Sequence, residues 1–324
     1  MFYFYKNIEM ISKMSDSKKK FYPDVLVVGP GAEKGYYELG ALIYLETGKF
    51  LKNIKYCACC SIGAIICLLW IVGYSFKSSI EKMKEKDTFD VLGDISISTI
   101  FSRSGIFSNK GLKDFITDLV NKKIGYIPNL YNLYLISGIE LCIIATNLNR
   151  KKHEHRFTYK TDPDLSCVEA VLLSTCMPFI LPRLEYKGES IIDGALSNPY
   201  PIDVYDDNKK IILGIYVDEQ SYTKKIKNNF EYLNQIVNTN TDILRDHKIE
   251  KVSECCYHLC LSISKKVKNH TNPDLEDKNI MINHGKHISK EFIILIESQK
   301  KYNIVFKGEE EIPFLKSVES IKTN

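Results

Sequence analysis

The chain has 324 residues, 44% of them hydrophobic and 26% charged, with a formal net charge of +4. That length holds a large core, and one domain of roughly 200–250 residues with additions fits it. So small a charge gives no electrostatic case for a nucleic-acid partner, and ten cysteines without two Cys-x-x-Cys pairs give none for zinc.

In residues 1–20 Lys6 and Glu9 interrupt the apolar run and no small-residue cleavage site follows, so a signal peptide is not expected. Residues 1–22 read as a flexible tail, and Lys18, Lys19 and Lys20 as a solvated basic cluster. Residues 24–28 (DVLVV) predict a buried strand, 29–35 a glycine-rich turn, and 36–47 a helix stopped at Gly48. This is the grammar of a phosphate cradle, but neither G-x-G-x-x-G nor Gly-Lys-Ser/Thr is present. What remains is a loop whose backbone N–H groups can face an anion.

Residues 57–74 carry no charge. Eighteen apolar residues stand at the lower edge of a bilayer span. Basic and aromatic anchors do not flank them, and 75–86 follows as an amphipathic helix, so a β-like run (54–58) and a buried helix (64–74) are expected instead. Residues 98–124 predict a turn and a helix with Leu112, Phe115, Ile116, Leu119 and Val120 inward. Strands are expected at 141–146, 156–159, 190–193 and 211–217, and a helix at 166–175 ended by Pro178 and Pro182. The alternation implies an α/β fold with a mostly parallel sheet. Beyond residue 220 apolar periodicity weakens. Residues 221–324 read as a helical extension, with a loop at 269–277 and a helix at 289–298.

Ser61 falls between the β-like run and the apolar helix. A serine on a sharp strand-to-helix turn is how α/β hydrolases present a nucleophile. A Ser, Asp, His order is available with His247, His258 or His270, but none lies in a strand-end motif, and each reads as a surface histidine. Cys255, Cys256, His258 and Cys260 read as a helix face rather than a metal site. Cys59 and Cys60 have no base histidine near them in sequence to make a thiol nucleophile. Cysteines in apolar runs (Cys57, Cys59, Cys60, Cys67, Cys142) suggest buried free thiols in a reducing, cytoplasmic compartment.

Taken together, residues 24–217 resemble the patatin-like phospholipase family. Residues 27–46 resemble its oxyanion segment and following helix, Cys59 to Gly63 its G-x-S-x-G elbow, and 72–75 the end of the elbow helix. Residues 105–112 match a connecting stretch. The closest matches are 174–182 (STCMPFILP) and Asp193-Gly194-Ala195 followed by Asn198 and Pro199. The resemblance implies a three-layer α/β sandwich with helices on both faces of the sheet. It implies metal-free, cofactor-free hydrolysis of fatty-acyl esters of phospholipids or neutral lipids, with substrate met at a membrane surface by a peripheral, non-spanning protein. It makes Ser61 the nucleophile, Asp193 the general base, and the N–H groups of Gly31, Ala32 and Glu33 the oxyanion hole. Lys34, followed by Gly35, stands where the family has Arg or Lys and would order the loop or face an anion. Three positions depart from the pattern: Pro30, Ala32 and Cys59 stand where the family has glycine. They leave open a catalytically inactive protein of the same fold that binds lipid or a partner.

Overall fold

The computed structural model describes residues 20–84, 107–218, 226, 229–270, 272–299 and 305–307. Residues 1–19 of the expected tail, with Lys18 and Lys19, and 98–106 of the expected turn lie outside them, as does the chain after 307.

β1 (Val25–Val28) passes through a single 3-10 turn (Ala32–Lys34) into α1 (Gly35–Thr47). β2 (Tyr56–Cys60) runs through Ser61 into α2 (Ile62–Ile71), and α3 (Phe76–Lys84) follows. Next come α4 (Lys110–Ile124), α5 (Leu130–Ser137), β3 (Glu140–Asn147), β4 (Glu154–Phe157) and α6 (Cys167–Ser174). β5 (Leu184–Tyr186), β6 (Glu189–Asp193) and β7 (Ile212–Asp218) precede α7 (Asn229–Lys251), β8 (Cys256–Ser262), α8 (Leu275–Gln299) and β9 (Val305–Lys307).

The strands form one mixed sheet in the order β5-β6-β3-β2-β1-β7-β8-β9, with β4 also on β3. The run from β3 to β9 is parallel, and β4, β5 and β6 pair antiparallel. Alternate side chains serve two cores. Leu26, Val28, Cys57, Cys59, Ile143, Leu213, Ile215 and Leu259 join the larger, which α1, α2, α4, α6 and α8 cover. Val25, Val27, Ala58, Cys60, Cys142, Ile144, Ile212 and Cys260 join the smaller, under Tyr200, Ile202 and Ile249 of α7. Burial on both faces is why these strands read as unbroken apolar runs.

The uncharged stretch 57–74 is therefore a strand, a turn and a ten-residue buried helix. Among the described residues no helix is long and apolar enough to cross a membrane.

The C-terminal part differs from the expected helical extension. It does hold two helices, but β8 lies between them and adds to the sheet beside β7, from Ile212↔Cys256 to Asp218↔Ser262. The expected helix face at 255–260 is that strand, and His258, expected at the surface, is fully buried in it. Short apolar runs do not separate a strand from a buried helix by periodicity, and Tyr257 and Leu259 alternate with Cys256, His258 and Cys260 as a strand requires. α8 starts at Leu275, inside the expected loop, and packs directly on α1. A Cβ on Gly40 would meet the Ile282 carbonyl, and one on Gly285 the Tyr37 carbonyl, so the two helices touch backbone to backbone. The ordered core also begins earlier than expected: Phe21 is buried against Tyr257 and Phe292, with ring centroids 4.7 and 6.3 Å away.

Candidate active site

Sheet register explains why residues 132 positions apart meet. β2 pairs with β3 as far as Cys60↔Ile144. β6 takes up the pairing from Ala145↔Asp193, running the other way. Asp193 thus ends its strand beside the point where Ser61 leaves β2, and the Ser61 hydroxyl donates to Asp193 Oδ2 at 2.7 Å.

The turn at Ser61 is tight. Its backbone sits at φ 52°, ψ −130°, a left-handed conformation that a residue with a Cβ adopts only when its surroundings impose it. Gly63 lets α2 close in: a Cβ there would lie 2.5 and 2.6 Å from the Val28 and Gly29 carbonyl oxygens. The Ser61 N–H donates to Ser174 Oγ at 2.9 Å, and that hydroxyl donates to the Ile144 carbonyl at 2.6 Å. Ser174 at the end of α6 therefore ties the strained turn to β3. Residue type alone gives Ser174, within the 174–182 block, no task. A hydroxyl flanked by an apolar helix and a proline was the available signal.

Asp193 is 0% exposed. Burial pushes its carboxyl up to about 6, against the hydrogen bonds from the Ala195 N–H and the Ser61 hydroxyl. The Ala195 N–H donates to Oδ1 at 2.8 Å, leaving Oδ2 for Ser61. Thr146, also missed from sequence, donates to the Asp193 carbonyl at 2.7 Å. The backbone N–H of Asp193 donates to the Cys176 carbonyl at 3.0 Å. Gly194 admits no Cβ, which would run into the Ile144 carbonyl. The aspartate is thus clamped at both ends of its peptide and at both carboxylate oxygens.

The glycine-rich segment runs along the same end of the sheet. Val28 and Gly29 lie against Gly63, and Gly35 lies against Ile62. The Lys34 N–H donates to the Gly31 carbonyl at 2.8 Å, and the Gly35 N–H to the Ala32 carbonyl. Those turn bonds do not use the N–H groups of Gly31 and Ala32. Glu33 and Lys34 are half-buried on the same turn. Ala32, in the place of a family glycine, takes φ 43°, a conformation a glycine would hold without strain. Pro30 has no N–H to give. Cys59, in the place of the elbow's first glycine, points into the larger core, with Sγ 3.6 Å from the Cys142 carbonyl. The strand accommodates its side chain.

Burial pushes the thiols of Cys59 and Cys60 well up, and Cys60 Sγ lies 3.4 Å from the Pro199 carbonyl on the opposite face of the sheet from α2. Both side chains are fully buried. His258 faces the Tyr200 hydroxyl at 3.0 Å, and His270 faces the Tyr37 hydroxyl at 3.3 Å. His247 is exposed on α7, as expected. No histidine hydrogen-bonds Ser61 or Asp193 among the described residues. No group of three or more His, Cys, Asp or Glu able to hold a metal ion occurs among them either.

Comparison with known proteins bears on the family and the fold. The chain is 31% identical over 197 residues to a protein named "Probable lipid hydrolase 463L" of Invertebrate iridescent virus 6, covering 59% of this chain and 66% of that one. It is 28% identical over 212 residues to an uncharacterized protein of Acanthamoeba polyphaga mimivirus, covering 63% and 67%. The chain thus spans about two thirds of the curated relatives it matches. Among solved structures it is similar in fold to VipD of Legionella pneumophila, with TM-score 0.51 and 15% identity over 89% of this chain and 72% of that one. The type III effector ExoU of Pseudomonas aeruginosa gives TM-score 0.50 and 16% identity over 85% and 53%. The patatin-like phospholipase model matches residues 26–206, more than half of the chain and every strand from β1 to β6, and the chain belongs to that family of lipid hydrolases.

Proposed function

We propose that the chain is a serine acyl hydrolase that cleaves fatty-acyl esters of phospholipids or neutral lipids through the Ser61–Asp193 pair. The observation that carries this reading is the 2.7 Å hydrogen bond from the Ser61 hydroxyl to a buried Asp193, made at a strained strand-to-helix turn. A serine hydroxyl is a weak nucleophile until a base takes its proton. An ordinary aspartate, at ~3.9, is a poor base near neutrality, whereas one at about 6 is well matched.

The steps follow from the geometry. Asp193 Oδ2 takes the proton as Ser61 Oγ attacks the ester carbonyl. The carbonyl oxygen gains the charge and takes N–H bonds from Gly31, Ala32 and Glu33, at the N-terminal end of α1, whose dipole favours an anion. Asp193 then gives its proton to the departing alcohol and the acyl group stays on Ser61. Water, deprotonated by the same carboxylate, releases the fatty acid and restores both residues. Lys34 orders the loop or faces an anionic head group. The substrate is met at a lipid–water interface, and the ten free thiols, most of them buried, suit a reducing cytoplasm.

The test is hydrolysis of p-nitrophenyl butyrate and mixed phospholipid vesicles by the wild type, Ser61→Ala, Asp193→Asn and a His247/His258/His270 triple alanine variant. Loss in the first two variants and retention in a folded triple variant is expected. Loss in a folded triple variant as well would replace the dyad with a triad. A folded wild type inactive on both substrates would favour a binding protein, the reading that Pro30 and Ala32 keep open.

A further inference from the structure

Glu38 lies in the first turn of α1, directly behind the glycine-rich loop. It is 0% exposed, and neither of its carboxyl oxygens has a hydrogen-bond partner among the described residues. Such a group is costly, and native proteins keep few of them without a reason. Its Oε2 is 3.5 Å from where a Cβ on Gly31 would stand, so the carboxyl reaches the loop from its buried side, while Ala32 on the same loop is exposed.

A trans peptide points its N–H and its C=O in opposite directions. A Gly31 N–H aimed at a substrate oxyanion turns the Pro30 carbonyl back into the protein. The Gly31 carbonyl already has a partner in the Lys34 N–H at 2.8 Å, and a Pro30 carbonyl turned inward would need a donor of its own. We propose that Glu38 is a positioning residue for the oxyanion loop: its carboxyl O–H donates to the Pro30 carbonyl when the Pro30–Gly31 peptide turns its N–H toward the substrate. This rests on the acyl-hydrolase reading above.

The chemistry of the surroundings fits an acid rather than a carboxylate. Burial, and then the nearby Cys67 thiol, push Glu38 well above the usual carboxylate range. Cys67 of α2 is the group that acts on it besides burial, and it is not a cation. Glu33 and Lys34 of the loop are half-buried at its outer side. A neutral carboxyl has one O–H to donate, whereas a carboxylate only accepts. Ionisation at high pH would remove the donor and set a negative charge behind a loop that must hold another.

The experiment uses the full chain and an alkyl fluorophosphonate, which phosphonylates a reactive serine through a charged oxygen in the same hole. Rates of Ser61 labelling, with kcat and KM for p-nitrophenyl butyrate, are measured for wild type, Glu38→Gln and Glu38→Met. Glu38→Met, which removes the donor at similar volume, should label about tenfold or more slowly and lose kcat with KM nearly constant. Glu38→Gln, which restores an N–H donor, should recover to within about threefold of wild type and lack the fall in rate expected of wild type at alkaline pH. Labelling of Glu38→Met within twofold of wild type, with its fold intact, overturns the proposal. Should Glu38→Met fail to fold, the alkaline limb decides: its persistence in Glu38→Gln overturns the role of Glu38, and its loss supports it. A folded wild type that does not label at all overturns the hydrolase reading, and the role of Glu38 with it.

Discussion

Replacing Asp193 by asparagine should stabilise the protein at neutral pH while removing its activity. Burial holds the carboxyl at about 6, and an unfolded chain leaves it near 3.8. The folded state therefore binds this proton more tightly than the unfolded state. Its contribution is fully present below about pH 4 and is lost as pH rises through 6. At ~1.4 kcal/mol per pH unit, the displacement amounts to about 3 kcal/mol of native-state cost above pH 7. The Ser61 and Ala195 hydrogen bonds already oppose burial in that figure. Asparagine keeps the shape and an acceptor for the Ala195 N–H but cannot ionise. Urea unfolding of wild type and Asp193→Asn from pH 4 to pH 8 reads the effect directly. Because asparagine's own contacts do not titrate, the difference between the proteins should shift in favour of the variant by about 2–3 kcal/mol across that range. A difference constant to within about 0.5 kcal/mol would refute the reasoning, because a carboxyl with an ordinary pKa could not be the base.

The rate should follow the same carboxyl. For wild type, kcat/KM should fall as pH drops through about 6, to about a tenth of its plateau at pH 5, with a slope for one proton; a pH profile flat to pH 4 contradicts it. Cys59→Gly, which restores the family residue, should cost about 2 kcal/mol of stability in urea unfolding, because Cys59 fills the larger core. Ala32→Gly should instead gain up to about 1 kcal/mol by relieving the φ of 43°. Gly40→Ala should destabilise by about 3 kcal/mol in the same assay, since its Cβ meets the Ile282 carbonyl of α8. Equal stability there would mean that α8 does not close on α1.

The parts of this protein that local chemistry dictates are visible in its sequence. Strands buried on both faces announce themselves as unbroken apolar runs, so β1, β3 and β7 lie within a residue or two of where 24–28, 141–146 and 211–217 place them. The strand-to-helix turn at Ser61 and the Asp-Gly turn announce themselves through residue type, and they carry Ser61 and Asp193 to one end of the sheet. What sequence does not carry is partnership across the chain. Ser174 and Thr146 are unremarkable hydroxyls until register sets them against the Ser61 and Asp193 backbones. His258 looks like any polar residue in a Lys-rich region, yet β8 draws it into the core, where Tyr200 meets it. Glu38 sits at a position that looks helical and soluble, and only the packing of the loop, α1 and α2 encloses it.

The most direct test of the account is to trap its covalent intermediate. Wild type mixed with p-nitrophenyl butyrate, quenched in acid within the first turnovers and digested, is analysed by mass spectrometry. The account predicts a butyryl group on the peptide carrying Ser61, absent in Ser61→Ala and greatly reduced in Asp193→Asn. Turnover with no acylated peptide, or with the acyl group on a cysteine or on another serine, would contradict it.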